Sequence, residues 1–453
     1  MAKFNREKAL RKIEFKRKWR NYSRYVYIAV PCVLCCLLCL YFAYSKFFVS
    51  EEQAVIRTTV GDFIYGDIVI SAYIDGEYSN TIPGKDDGYI VEKVSCDNDA
   101  IGKWNSDDWG IMVTDLSKRT KCNVYFKKKP DSKVPEIIAQ LDTSGKCPTV
   151  NDDGSVNVTG VEATNGYLCK AKDAYGDSYY YRGNVTNNYV KFADKYWRIV
   201  RINGDGTVRV IYDGTSAHAN GEASADRQIG TSAFNSSYND NAYVGYMYGK
   251  TGASTYADAH ANTNNSTIKT YIDDWYKTNI VGTTNEQYLA DNIFCNDRSM
   301  AGNNSGTGAG TSVTYYRWYN GPWESENYSK YNKKMMLTCS QKNDAFTVSD
   351  TTNGNGALTY PVGLLSTDEI ALAGGWNAAN SGYYLYSGQV WWASSPYSFD
   401  GGSAGVRYVF SNGHANGVSY VGYNGGVRPV FNLKAEVLLQ GSGTAEDPYR
   451  ISS

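Results

Sequence analysis

The stretch that decides the reading is Trp391–Leu433, WWASSPYSFDGGSAGVRYVFSNGHANGVSYVGYNGGVRPVFNL. Trp, Val, Arg and Pro alternate in it with Tyr, Ser, Asn, Asp, His and Gly. The first set suits packing. The second set is what contact surfaces favour: Tyr gives area at low entropy cost, and Ser, Gly and Asn adapt. Few residues in the stretch carry reactive chemistry, so it points to recognition rather than catalysis. Asn412-Gly413 is a hairpin turn signal inside it.

Upstream, Tyr196–Ile202 and Thr207–Tyr212 flank Asn203-Gly204-Asp205-Gly206, a strong hairpin pattern. That turn lacks the spacing and terminal Glu of a calcium loop. Residues 214–265 are polar, without a clear period, and are expected to form a long surface loop. Apolar spacing predicts helices over Ser266–Thr278 and Thr284–Phe294, followed by a Gly/Ser/Asn loop over 300–314. Ser366 with Glu369 makes a capping box that Gly374-Gly375 terminates. In the first part of the chain, short strands such as Tyr89–Val94, Gly110–Thr114 and Cys122–Phe126 alternate with Gly, Asp and Asn turns. Residues 46–130 therefore read as a small β-rich stalk module, 131–150 as a linker in which Pro135 opens a short helix, Glu136–Leu141, and 151–453 as one large domain.

Charge is unevenly spread. Residues 1–24 hold ten Lys or Arg and two Glu, a net of +8, and the remainder carries −9. An acidic body argues against a nucleic-acid partner. Tyr25–Ser45 is uncharged for 21 residues, long enough to span a bilayer. The basic flank then predicts residues 1–24 as a cytoplasmic tail, a single-pass transmembrane helix over 25–45 and an extracellular body at the cell membrane. A cleaved signal peptide is the alternative. Cys32, Cys35, Cys36 and Cys39 fall inside that segment and read as small apolar residues rather than metal ligands. The other six suggest disulfides, with the sequential set Cys96–Cys122, Cys147–Cys169 and Cys295–Cys339 favoured. The 40 Tyr against 14 Phe fit either a Tyr-rich exterior or Tyr-rich sheets.

Several motifs carry a family resemblance: Tyr181-Arg182-Gly183, Tyr196-Trp197-Arg198-Ile199, Phe294-Cys295-Asn296-Asp297, Tyr360-Pro361-Val362-Gly363-Leu364, Trp391-Trp392 with Ser395-Pro396, and Gly426-Val427-Arg428-Pro429. Over about residues 150–453 the chain resembles a family of bacterial surface proteins common in Gram-positive bacteria. That family is related to the C-type-lectin-like fold of formylglycine-generating enzymes, and some members resemble the variable proteins of diversity-generating retroelements. The resemblance implies an α+β fold, with an irregular C-type-lectin-like domain behind the transmembrane helix and the all-β module. It also implies a ligand-facing surface on the last strands. The candidate ligand-binding positions are Tyr397, Ser398, Asp400, Ser403, Tyr408 and Ser411, then Asn412, His414, Asn416, Ser419, Tyr420, Tyr423 and Asn424. Arg407 and Arg428 read as frame, and Trp391 and Trp392 as core anchors.

Enzyme readings fare poorly. No cysteine follows Cys339, as formylglycine chemistry would need. His218, His260 and His414 are scattered, with no second ligand at metal spacing, so neither a metal nor a cofactor is expected. Asp368 and Glu369 suit a helix start better than a glycosidase pair. The expected partner is an external protein or glycan. The alternatives are a structural envelope-associated protein or an unrecognised extracellular enzyme.

Overall fold

The computed structural model describes residues 68–453, apart from 86, 107, 116–118, 129–130, 303–304, 320–333, 377 and 452–453, together with the short stretches 11–12, 14–19, 54–56 and 63–65. The chain forms two units, Met1–Pro130 and Asp131–Ser453.

In the first unit Ile68–Ile74 runs parallel to Thr120–Lys128, which pairs antiparallel with Tyr89–Cys96. A second sheet joins Ala54–Ile56, Gly110–Thr114 and Ile101–Asn105. Alternation places Ile68, Ile70, Ala72, Val113, Val124 and Phe126 in one core. Cys96 and Cys122 are register partners and form a disulfide.

The second unit is built on two sheets. The larger one runs Tyr167–Asp173, Gly176–Arg182, Lys195–Ile202, Val208–Gly214, Val430–Leu433, Val362–Gly363, with Tyr189–Phe192 beside Lys195–Ile202. The Asn203–Gly206 turn joins its two central strands, and Gly206 takes the positive φ of 83° that the turn requires. Helix Thr267–Asn279, capped by Ser266, buries Ile268, Ile272 and Tyr276. Trp197 packs on Phe431 at 4.7 Å between ring centroids and edge-on to Tyr212 at 5.5 Å. The other two disulfides, Cys147–Cys169 and Cys295–Cys339, lie in this unit. Residues 131–150 belong to it as well: helix Val134–Ile138 contributes Val134 and Ile137 to the core.

The second sheet carries the decisive stretch. Its order is Thr231–Ala233, Asn424–Gly426, Trp391–Phe399, Ala404–Val409, Gly417–Tyr420, and Thr314–Tyr315 also pairs with Trp391–Phe399. Trp392 is buried, donates its indole N–H to the Ser232 carbonyl at 2.9 Å and packs against Phe234. Gly425 must be glycine there, because a Cβ would stand 2.8 Å from the Trp392 indole nitrogen.

The expected α+β class is corrected. Among the described residues the fold is mostly β, with 34% strand and 15% helix, and the helices are short. Tertiary pairing overrides helical spacing at Thr284–Phe294. Only Glu286–Tyr288 coils, as a 3-10 turn, and Ala290 then donates its N–H to Asn432 of the larger sheet. The expected loop 214–265 contains two 3-10 turns, the helix Tyr256–Ala259 and several short strands. The expected transmembrane helix over 25–45 lies outside the described residues. Among the described residues no helix is long and apolar enough to cross a membrane, so the expectations of a single-pass anchor and of a cell-membrane location have no structural support.

The interior of the second unit is held by buried guanidinium groups. Asp213 accepts from Arg227 at 2.8 Å and from Arg428 at 2.9 Å. Glu369 accepts from Arg209 at 2.6 Å and from Arg201 at 3.3 Å, and Asp173 also accepts from Arg201. Arg317 bridges Asp297 and Asp368, and Arg298 pairs with Asp344. Removing one partner of such a pair strands a desolvated charge. Asp213→Ala is therefore expected to cost about 3–5 kcal/mol in urea unfolding. Lys170→Ala, which breaks an exposed pair with Asp177, is expected to cost at most about 1 kcal/mol. Equal losses would mean that the buried charges do not hold the unit.

Candidate functional site

One row of residues crosses four strands. Tyr315 registers with Ser398, Ser398 with Gly405, and Gly405 with Tyr420. Directly paired residues on antiparallel strands point to the same side. The row is large, small, small, large, so it forms a trough with Ser398 and Gly405 as floor and tyrosines as walls. The cleft has a volume of about 520 Å³, within the range of small-ligand sites. Tyr319, Tyr397 and Tyr423 extend its walls, and Asp400, Val418 and Ser419 complete the lining. A second cleft of about 310 Å³ shares Tyr420 and Tyr423 and adds Tyr238, Ser403 and Gly422.

Each wall is supported from behind. Tyr315 stacks on Tyr319 at 4.0 Å, and Tyr319 leans on Tyr397 at 5.0 Å. Arg407, fully buried, lies 4.7 Å from the Tyr397 ring and donates to the Asn416 side-chain oxygen at 2.6 Å and to the Trp318 carbonyl. On the opposite side Tyr420 and Tyr423 pair at 6.2 Å. They are 46% and 64% exposed, and Tyr238 is 50% exposed. Tyr420 ends the strand Gly417–Tyr420, whereas Tyr423 and Tyr238 stand outside the strands.

Asp400 is the charged group among the described lining residues. Its Oδ1 accepts the backbone N–H groups of Gly402 and Ser403 at 2.9 and 2.7 Å, and its Oδ2 accepts the Tyr420 hydroxyl at 3.0 Å. Partial burial opposes ionisation, but these bonds outweigh it and hold the carboxyl below its ordinary value. The Asp400 bond in turn raises the Tyr420 phenol.

Of the residues expected to bind ligand, Tyr397, Ser398, Asp400, Ser419, Tyr420 and Tyr423 come together in the larger cleft, and Ser403 lines the smaller one. The rest stand apart. Tyr408 packs on Trp392 and Phe410. Ser411 and Asn412 are exposed at the hairpin tip, where Asn412 accepts the His414 backbone N–H. The His414 ring, with its pKa lowered chiefly by burial, meets the Trp376 carbonyl through Nε2 at 2.6 Å. Asn416 holds Arg407, and the exposed Asn424 registers with Ala233 toward the opposite edge of the sheet. Tyr315, Tyr319 and Tyr238 were absent from the sequence-based set. The run Tyr315-Tyr316-Arg317-Trp318-Tyr319, aromatic and next to a Gly/Ser loop, was the signal for Tyr315 and Tyr319.

Asp400 provides a test of this geometry. A carboxylate whose folded pKa is depressed contributes stability above the ordinary carboxylate range and loses it as pH falls through the folded value. Tyr420→Phe removes one donor, so the Asp400 pKa is expected to rise toward the ordinary value when followed by carboxyl carbon NMR. An unmoved titration would mean that the phenol does not engage the carboxylate in solution.

Among the described residues no cluster of His, Cys, Asp or Glu is arranged to hold a metal ion. Residues 264–435 match the model of a family described as a domain of unknown function (DUF6273), a span that contains the trough row and excludes the Tyr238 wall of the smaller cleft. No curated protein and no solved structure matches the chain.

Proposed function

We propose that the second unit is a recognition module that seats an external protein or glycan ligand in the tyrosine-walled trough between Tyr315 and Tyr420. The observation that carries this reading is the cross-strand row itself. A large, small, small, large sequence across four paired strands makes a concave surface whose shape is set by backbone register. Flexible loops would have to order on binding, at a cost in entropy, whereas this surface is already formed. The buried side chains around it engage one another, while Tyr420, Tyr423 and Asp400 remain exposed. Tyr and Ser at such positions offer stacking area and hydroxyl donors, which suit peptide and sugar surfaces alike. The chemistry on this face is that of contact. The carboxylates Asp368 and Glu369, which a hydrolase reading would use, are buried against Arg317, Arg201 and Arg209.

Gly405 supplies the test. A Cβ there would meet neighbours at 3.5 Å or more, an ordinary contact, and its φ is not in the left-handed region. Gly405→Leu should therefore fold and fill the trough. Glycan and peptide arrays probed with the wild-type domain are expected to show saturable binding that Gly405→Leu and Tyr420→Ala each weaken tenfold or more, with melting temperatures kept. Trp392→Ala is expected to lose about 3–5 kcal/mol of stability. Array features bound equally by wild type and Gly405→Leu would remove the trough from consideration. Equal unfolding by Trp392→Ala and Tyr420→Ala would remove the distinction between frame and face.

A further inference from the structure

Building on the trough as a ligand site, we infer that its ligand presents an organic ammonium group, held over tyrosine faces and neutralised by Asp400. Three observations converge. The walls are tyrosines: Tyr315, Tyr319 and Tyr397 on one side, Tyr420 and Tyr423 on the other. An aromatic face attracts a cation through its quadrupole, most strongly where water is displaced. The charge among the described lining residues is the single carboxylate of Asp400, with no Lys, Arg or His beside it. That carboxylate is fixed in place by the N–H groups of Gly402 and Ser403 and by the Tyr420 hydroxyl. Oδ2 has one described donor and keeps further acceptor capacity. The same chemistry already operates one layer deeper, where the Arg407 guanidinium lies 4.7 Å from the Tyr397 ring. An anionic ligand would meet Asp400 with no Lys, Arg or His among the described lining residues to offset it. A neutral sugar would find stacking area but would leave the fixed charge without a counter-ion.

The test uses the whole chain and three probes: choline, its uncharged isostere 3,3-dimethylbutan-1-ol, and methyl glucoside. Binding is read from the ring resonances of Tyr420 and Tyr423, with Asp400→Asn as the variant. Asn keeps an oxygen for the Gly402 and Ser403 N–H groups and so preserves the turn, which an unchanged melting temperature would verify. Choline is expected to bind roughly tenfold or more tighter than the isostere. Asp400→Asn is expected to abolish that preference, and added salt to weaken it. A Gly-Gly-Lys-Gly-Gly peptide run alongside separates sources. Tighter binding of choline indicates a free ammonium compound and tighter binding of the peptide a side chain on a partner, and either supports the cation. Equal binding of choline and the isostere overturns the ammonium assignment while leaving the trough as a site. Binding of methyl glucoside in preference to choline does the same. Failure of every probe to move the tyrosines also overturns the assignment, and the array comparison with Gly405→Leu then decides the trough separately.

Discussion

Buried guanidinium groups are the constraint on which the second unit depends. Arg182, Arg198, Arg209, Arg227, Arg298, Arg407 and Arg428 are among its largest fully buried side chains. A mostly β unit with many short, irregular segments leaves carbonyls without ladder partners, and each needs a donor once buried. Arg provides up to five donors in a planar fork. Arg182 serves the carbonyls of Val161, Glu162, Ala371 and Leu372, tying the 161–162 segment to the end of the short helix that Ser366 caps. Arg428 binds the Tyr212 and Leu385 carbonyls as well as Asp213. Burial is the largest influence on its pKa and lowers it to about 10, against the opposing pull of Asp213. The charge is retained because the site is arranged around it.

That arrangement explains how a rigid trough can rest on an irregular scaffold. Arg407 belongs both to the interior and to the wall, since it braces Tyr397 while holding Asn416 and the Trp318 carbonyl. The two strands that contribute Ser398 and Gly405 are buried along almost their whole length and are fixed by the Trp391-Trp392 pair and by Arg407.

Much of this was legible in the sequence where local chemistry decides. The Asn203–Gly206 hairpin, the Ser266 cap and the Ser366–Glu369 capping box need only neighbouring residues, and all three form. The six cysteines pair within short segments. Trp391, Trp392, Arg407 and Arg428 are interior, as their alternation with polar residues suggests. Illegible were the features set by distant partners. Leu289 bridges to Leu433, so Thr284–Phe294 abandons its helical spacing. Asp273 has a second carboxylate, Asp274, beside it in sequence, yet it is buried and pairs with Lys269. Tyr315 reaches the trough only because Thr314–Tyr315 adds to a strand more than 80 residues later in sequence. His414 and Asn416 share the composition of contact residues, yet they are spent on Trp376 and Arg407.

The pairing of Arg428 with Asp213 spans 215 residues, and the strand Val208–Gly214 likewise waits for Val430–Leu433 to cover its edge. During synthesis at about 5–20 residues per second, the earlier partner emerges roughly 10–40 s before the later one. For that interval the nascent chain carries an Asp213 without its Arg428 and a β-edge without its neighbour. Long-range closure of this kind is slow even in the finished chain. The last strands therefore act as the latch of biosynthesis, and the trough hairpin, which lies between the two halves of the latch, acquires its shape only after Arg428 and Val430–Leu433 have emerged.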